Sequence, residues 1–265
     1  LDAGFVYEGE ENPEILPTEN MREKDIADLG SLCTDTDKNF EGEKILKDNC
    51  YHPVIPKDPK KRIIATGSSH VQMWAPALIE TAEDQNWDLY IVRGGGCFLG
   101  EEDNFHEFCK GFGNAATNFV LDKKPDFVFV NGTFTTVNGE EFVQPGTRDS
   151  LHKFDEAGIP IIGLRDTPRF PETHMSCAER TGISCTFDAP QDINYSKASA
   201  QLEEELSNFA TMNMTDIVCP ESKCPEIIGN IYTYIDNNHI SAHYSKSTYN
   251  FFKPRILETM HRLER

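Results

Sequence analysis

Positive charge is scarce in this chain. It carries 25 Lys and Arg against 44 Asp and Glu, a formal net charge of −19 at pH 7. Such a surface repels nucleic acid and anionic lipid headgroups, and no Lys/Arg cluster or basic amphipathic helix offsets it. No nucleic-acid partner is expected. Long apolar runs are also missing: nothing approaches the ~20 consecutive residues that span a bilayer. No charged-then-apolar leader opens the sequence, and its first residue is Leu1. The expectation is a soluble chain, processed or excised from something larger. No internal repeat or low-complexity tract occurs. Zinc spacing is nearly absent as well. Cys219 and Cys224 come closest to ligand spacing, and no second close pair or His-x-x-x-His completes a set. Neither a metal nor a cofactor is expected.

Cysteine, by contrast, is plentiful. The eight cysteines fall into four local pairs: Cys33/Cys50, Cys97/Cys109, Cys177/Cys185 and Cys219/Cys224. An even count at short separations points to disulfides and an oxidising compartment, with the connectivity left open by the sequence. Residues 1–32 are acidic at first, contain Pro13 and Pro17, and show little periodicity, so they read as a linker or a strap over the surface. The remainder, 33–265, reads as one domain.

From Arg62 the pattern alternates strand and helix. Strands are expected at Arg62–Thr66, Leu89–Val92, Phe127–Val130, Ile159–Leu164 and Ile231–Tyr234. Helical spacing marks Val71–Ile79, Phe105–Leu121, Arg148–Ala157, Ser199–Phe209 and Ser241–Arg265. Apolar strands alternating with helices predict an α/β fold: a three-layer α/β/α sandwich around a mostly parallel sheet.

Arg62–Glu80 organises the rest. A strand, the turn Gly67-Ser68-Ser69-His70 and a helix place the turn at the carboxyl edge of the sheet, where open α/β folds bind ligands. A serine there sits beside the free N–H groups and positive dipole end of the helix, which suit an oxyanion. An N-cap serine is the plain alternative. Near the other end, Asp236-Asn237-Asn238-His239 puts a carboxylate and an imidazole in one loop. The carboxylate can fix the tautomer and leave the other ring nitrogen for a serine hydroxyl.

A Gly-x-Ser-His turn by the first core strand, with a late Asp-x-x-His, resembles the SGNH-type esterase and acyltransferase superfamily. Cys224–Ser241 and the segment Gly163-Leu164-Arg165-Asp166-Thr167-Pro168-Arg169 resemble one branch of it. That branch is the extracytoplasmic SGNH domain fused to bacterial membrane O-acyltransferases. The resemblance runs from about Cys33 to the C-terminus.

The resemblance implies a flavodoxin-like SGNH-hydrolase fold and nearest-neighbour disulfides. It also implies a triad of Ser69, His239 and Asp236. Ser68 stands where an aspartate is usual and is the rival nucleophile, while His243 is the fallback base. For the oxyanion hole it points to Ser69 N–H, Gly95 within Gly94–Gly96, and Asn131, with Gly132 or Thr133 as alternatives to Asn131. Arg165 and His70 are candidate substrate contacts, although Arg165-Asp166 reads by default as a structural ion pair. The implied activity is O-acyl transfer, with acetyl the expected group, through a Ser69 acyl-enzyme to an envelope glycan or glycolipid. A fused membrane domain supplies the donor and tethers the protein outside the cytoplasm. An esterase using the same triad and an inactive glycan-binding module are the alternatives. Asn131, Asn194 and Asn213 match the N-glycosylation pattern, which matters only in a eukaryotic secretory source.

Overall fold

The computed structural model describes residues 14–34, 44–100 and 106–265. Residues 1–13 of the expected linker and Phe105, which opens one expected helix, lie outside the described residues.

Six strands form the central sheet: β1 (Cys50–Val54), β2 (Lys61–Gly67), β3 (Trp87–Arg93), β4 (Phe127–Asn131), β5 (Ile161–Leu164) and β6 (Phe209–Met212). Their order is β1-β3-β2-β4-β5-β6, parallel throughout except for β1, which runs antiparallel to β3. Side chains alternate between two cores. Ile63, Ala65, Phe127 and Phe129 pack with Trp74, Leu78, Phe252 and Ile256 on one face. Ile64, Val128 and Val130 pack with Phe119, Leu151, Phe154 and Leu202 on the other. A sheet buried on both faces needs helices on both sides, which makes the three layers.

The helices are α1 (Ser69–Met73), α2 (Ala75–Gln85), α3 (Phe112–Lys123), α4 (Pro145–Glu156), α5 (His174–Thr181), α6 (Lys197–Glu205), α7 (Thr215–Val218), α8 (Ala242–Ser247) and α9 (Tyr249–Leu263). Among the described residues no helix is long and apolar enough to cross a membrane. Register decides where the site lies. Thr66 is level with Val92 and Val130, and Asn131 is level with Leu164. The turns after β2, β3, β4 and β5 therefore leave the sheet at one edge.

Several expected elements change: α3 starts only at Phe112, Val71–Ile79 is divided between α1 and α2, and Ser241–Arg265 between α8 and α9. The sheet ends on Phe209–Met212 and not on Ile231–Tyr234. The helix expected through Phe209 stops earlier, at Glu205. Phe209 then pairs with Ile161 and its ring fills the space over Gly163, where a Cβ would meet it at 2.1 Å. Short apolar runs fit either element by pattern, and the vacant edge of β5 decided this one. Ile231–Tyr232 pairs with Ile227–Ile228 in a hairpin and bridges to Leu16 of the strap, away from the central sheet. Strand β1 has no counterpart among the expected strands. Its Pro53 marks it as an edge strand, where a missing N–H costs little.

The disulfides are Cys33–Cys50, Cys97–Cys109, Cys177–Cys185 and Cys219–Cys224. Each closes a short loop and contributes ~2–3 kcal/mol by constraining the unfolded chain.

His174, beside Cys177, supplies a pH prediction. It is fully buried, stacks on Tyr234 at 4.6 Å and donates from Nε2 to the carbonyl of Cys224 at 2.9 Å. Burial pushes its pKa down from 6.5 to about 4. The unfolded chain thus binds a proton that the native chain refuses between those values, so stability falls as pH drops through that window. The expected loss from this residue is about 2 kcal/mol between pH 7.5 and 5. Urea unfolding of wild type and His174→Gln at both pH values should show a pH dependence smaller in the variant by that amount. An identical dependence in both proteins would refute the assignment. The carboxylates shifted in this fold, Asp84, Asp88, Asp166, Glu203 and Asp236, are all shifted downward, away from the window.

Candidate active site

Gly67 ends β2 at φ 147°, in the region that favours glycine, and a Cβ there would strike Asn131 Oδ1 at 2.7 Å. The turn therefore requires glycine because Asn131 approaches so closely. Ser68 caps α1, its Oγ accepting from His70 N–H at 3.2 Å and donating to Asn131 Oδ1 at 3.1 Å. Its hydroxyl is committed on both sides. Ser69 follows at the first helical position, where N–H groups lack intrahelical partners.

Opposite Ser69 stands the loop 235–240. The Tyr234–Ile240 bridge and the bond from Ile235 N–H to His239 carbonyl at 3.0 Å close it tightly. Inside, Asp236 Oδ1 accepts from the amides of Asn238 at 2.8 Å and His239 at 2.7 Å. Its Oδ2 lies 2.6 Å from His239 Nδ1, and His239 Nε2 lies 2.7 Å from Ser69 Oγ. The three side chains form one line from carboxylate to hydroxyl. Burial pushes the Asp236 carboxyl up, but the hydrogen bond and charge of His239 outweigh it and hold the group below its ordinary range. Ionised Asp236 requires a proton on Nδ1, which leaves the Nε2 lone pair facing Ser69.

Asn131 ends β4 beside this line. Its Oδ1 also accepts from Ser68 N–H at 3.2 Å, which fixes the orientation of the amide. Its Nδ2 is buried with no partner among the described residues. Of the alternatives, Gly132 N–H donates to the Leu164 carbonyl at 2.8 Å. Thr133 Oγ1 donates to Glu141 at 2.8 Å and accepts from Asp166 N–H at 3.0 Å. Both are occupied. With its side-chain amide buried, Asn131 is also closed to glycosylation.

The other candidates have contacts of their own. Gly94 N–H donates to the Gly67 carbonyl at 3.1 Å and ties the loop after β3 to the serine turn. Gly95 is exposed in that same loop, next to the residue that ties it to the serine turn. Arg165 is 2 % exposed; its guanidinium meets Glu141 at 2.9 Å and the carbonyls of Asp192, Ile193 and Tyr195 at 2.5–3.1 Å. It forms a structural ion pair, with no donor turned to the cavity. His243 pairs with Asp25 at 2.8 Å and does not face Ser69.

His70 is buried, with Nδ1 2.5 Å from Asp166 and Nε2 2.9 Å from Asn238 Oδ1 and 3.0 Å from Arg169. Its ring centre is 4.9 Å from that of His239, so it backs the triad, and it lines the narrow cleft beside Ser68 and Asn131. Burial pushes Asp166 up, yet the His70 charge and hydrogen bond, Arg169 and the Thr135 amide hold it low. The chain after β5 also clasps the triad loop directly. Thr167 Oγ1 donates to the Asn238 carbonyl at 3.1 Å, Phe170 N–H to the Asn237 carbonyl at 2.9 Å, and Asn237 Nδ2 to the Phe170 carbonyl at 2.8 Å. The sequence singles out Arg165–Arg169 but gives no sign of this clasp, which joins residues about seventy positions apart.

Over residues 33–254 the chain matches the family described as SGNH domain (fused to AT3 domains). It belongs to that family. Among solved structures, the SGNH domain here is similar to the periplasmic domain of the Salmonella ser. Paratyphi A lipopolysaccharide acetyltransferase. The identity is 15 %, the TM-score 0.57, and the match covers 76 % of this chain and 85 % of that one. At that identity the likeness concerns the fold. No match was found among curated proteins. Membership places this SGNH domain with acyl-transferring and ester-cleaving enzymes, and four disulfides suit a place outside the cytoplasm.

Proposed function

We propose that the protein is a serine-dependent O-acyltransferase, with acetyl as the expected acyl group. Its acceptor is a hydroxyl of an envelope glycan or glycolipid. Ser69 Oγ attacks the donor carbonyl as its proton passes to His239 Nε2. The bond to the donor's leaving group then breaks, and that group takes the proton. Asn131 Nδ2 and Ser69 N–H stabilise the oxyanion between the two steps. The acceptor hydroxyl, deprotonated by His239, completes the transfer and frees Ser69. A membrane acyltransferase domain, of the kind to which the family is fused, delivers the donor and tethers this domain in the full-length protein. The observation that supports this best is the Asp236–His239–Ser69 line, at 2.6 and 2.7 Å, with an unpartnered amide beside it. A glycan-binding module has no need of an activated hydroxyl.

The test is to trap the acyl-enzyme. Mixing the protein with p-nitrophenyl acetate should release a burst of nitrophenolate and leave one acetyl group on the peptide containing Ser69. Ser69→Ala should give neither. Acetyl on another residue, or no burst, would overturn the reading. A soluble glycan acceptor that speeds turnover marks a transferase; turnover indifferent to every acceptor marks the esterase, whose acyl-enzyme is resolved by water.

A further inference from the structure

The cavity at Ser69 is larger and more apolar than an acetyl group requires, and part of its wall comes from outside the family match. It measures about 290 Å³ and is lined, beyond the triad, by Ile26, Ala27, Met73, Ile235 and Ile240. An apolar cavity of ~150 Å³ already takes benzene. Ile26 and Ala27 belong to the N-terminal strap, ahead of residue 33 where the family match begins.

That strap is bolted to both halves of the site. Arg22 pairs with Glu226 at 2.6 Å and donates to the Tyr234 carbonyl at 2.9 Å, just before the triad loop. Asp25 accepts through its carbonyl from Ala242 N–H at 2.9 Å and through its carboxylate from His243 N–H at 3.0 Å, just after that loop. On the opposite side, Gln72 of α1 donates to the Ala27 carbonyl at 2.9 Å, one helical turn from Ser69. These anchors leave Ile26, a large apolar side chain 58 % exposed, at the mouth of the cavity.

We infer that this cavity is an acyl-chain site and that the strap sets acyl length, extending the range from acetyl to short- and medium-chain fatty acyl groups. The inference rests on the Ser69 acyl-enzyme reading. Two features favour an acyl chain over a sugar. Hydroxyls need polar partners, and beyond the triad the lining offers only Glu23 and Gln72, one of whose N–H groups is held by the Ala27 carbonyl. Asn131 lies instead in a separate cleft with Ser68 and His70. An ester carbonyl turned to that side directs its chain into the apolar cavity.

The experiment compares kcat/KM for p-nitrophenyl acetate, butyrate and hexanoate using the full chain. Each methylene moved into an apolar site gives roughly fourfold, about 0.8 kcal/mol. With one side of the cavity open, hexanoate should exceed acetate by about tenfold or more. Ile26→Ser should lower the hexanoate-to-acetate ratio about fivefold, and Ile26→Trp, which fills the mouth, should reverse the preference toward acetate. A change in folding alone would move all three esters together. If wild type prefers acetate, or if both variants leave the ratio unchanged, the cavity does not hold the acyl chain. Those outcomes are distinct from failure of the underlying reading, which would appear as ester hydrolysis persisting in Ser69→Ala.

Discussion

Ser69→Ala should lower kcat for hydrolysis of a soluble acetyl ester by on the order of 10⁴–10⁶, with the fold unchanged. The Ser69 hydroxyl has one partner, His239 Nε2 at 2.7 Å, so its loss removes the nucleophile while breaking no contact that holds the core. The neighbouring hydroxyl cannot substitute. Ser68 Oγ donates to Asn131 and accepts from the His70 amide, and freeing it would dismantle both the helix cap and the orientation of Asn131. In serine proteases the oxyanion donors and substrate binding alone still accelerate hydrolysis ~10³–10⁴-fold over water, which sets a floor above zero. The measurement is steady-state hydrolysis at matched folded concentration, with far-UV circular dichroism confirming the fold. Activity above about one per cent of wild type would locate the nucleophile elsewhere, well outside the loss expected for a serine triad.

Asp236→Asn isolates the carboxylate. Oδ1 can go on accepting from the amides of Asn238 and His239, so the loop keeps its shape and stability changes by about 1 kcal/mol at most. The other branch becomes an NH₂ group 2.6 Å from His239 Nδ1 and donates to it. The imidazole proton must then move to Nε2, which presents Ser69 with a donor in place of a base. The charge that stabilises the imidazolium is lost as well. The equivalent change in the serine protease triad costs ~10⁴ in kcat, a reference value from another fold. Because Asp236 and His239 lie in a half-exposed loop, where water can relieve the wrong tautomer, a fall on the order of 10²–10⁴ is expected here with KM little changed. A variant that keeps more than about a third of wild-type kcat would reduce the site to a Ser–His pair.

Much of the molecule was legible in the chain. Fully apolar runs such as Phe127–Val130 can be buried only on both faces, which signals a helix-covered parallel sheet before any contact is known. Gly67-Ser68-Ser69-His70 after such a run marks the ligand edge, and Asp236-x-x-His239 is short enough for one loop to hold both groups. Elements that depend on a distant partner were not legible. Phe209–Met212 became the last strand because β5 offered an open edge, and Ile231–Tyr232, with a similar pattern, paired instead with Ile227–Ile228 and bridged to Leu16.

The sequence by itself determined what is local: the strand–turn–helix around Ser69, the Asp–His loop, and an even set of closely spaced cysteines whose pairing the fold then fixed. Only the tertiary structure decided which polar groups are occupied. Arg165 and Asn131 are both polar residues at the ends of neighbouring strands, and the sequence names no partner for the one beyond Asp166 and none for the other. Folding gives Arg165 a carboxylate and three carbonyls, and it leaves the Asn131 amide nitrogen without a partner among the described residues. The same holds for residues 1–32, which read as a linker or a surface strap; only the fold shows Arg22, Asp25 and Ala27 fastening Ile26 over the cavity. Hydrogen-bond donors and apolar walls take their meaning from what stands opposite them, and in this fold the opposite residue is often more than a hundred positions away.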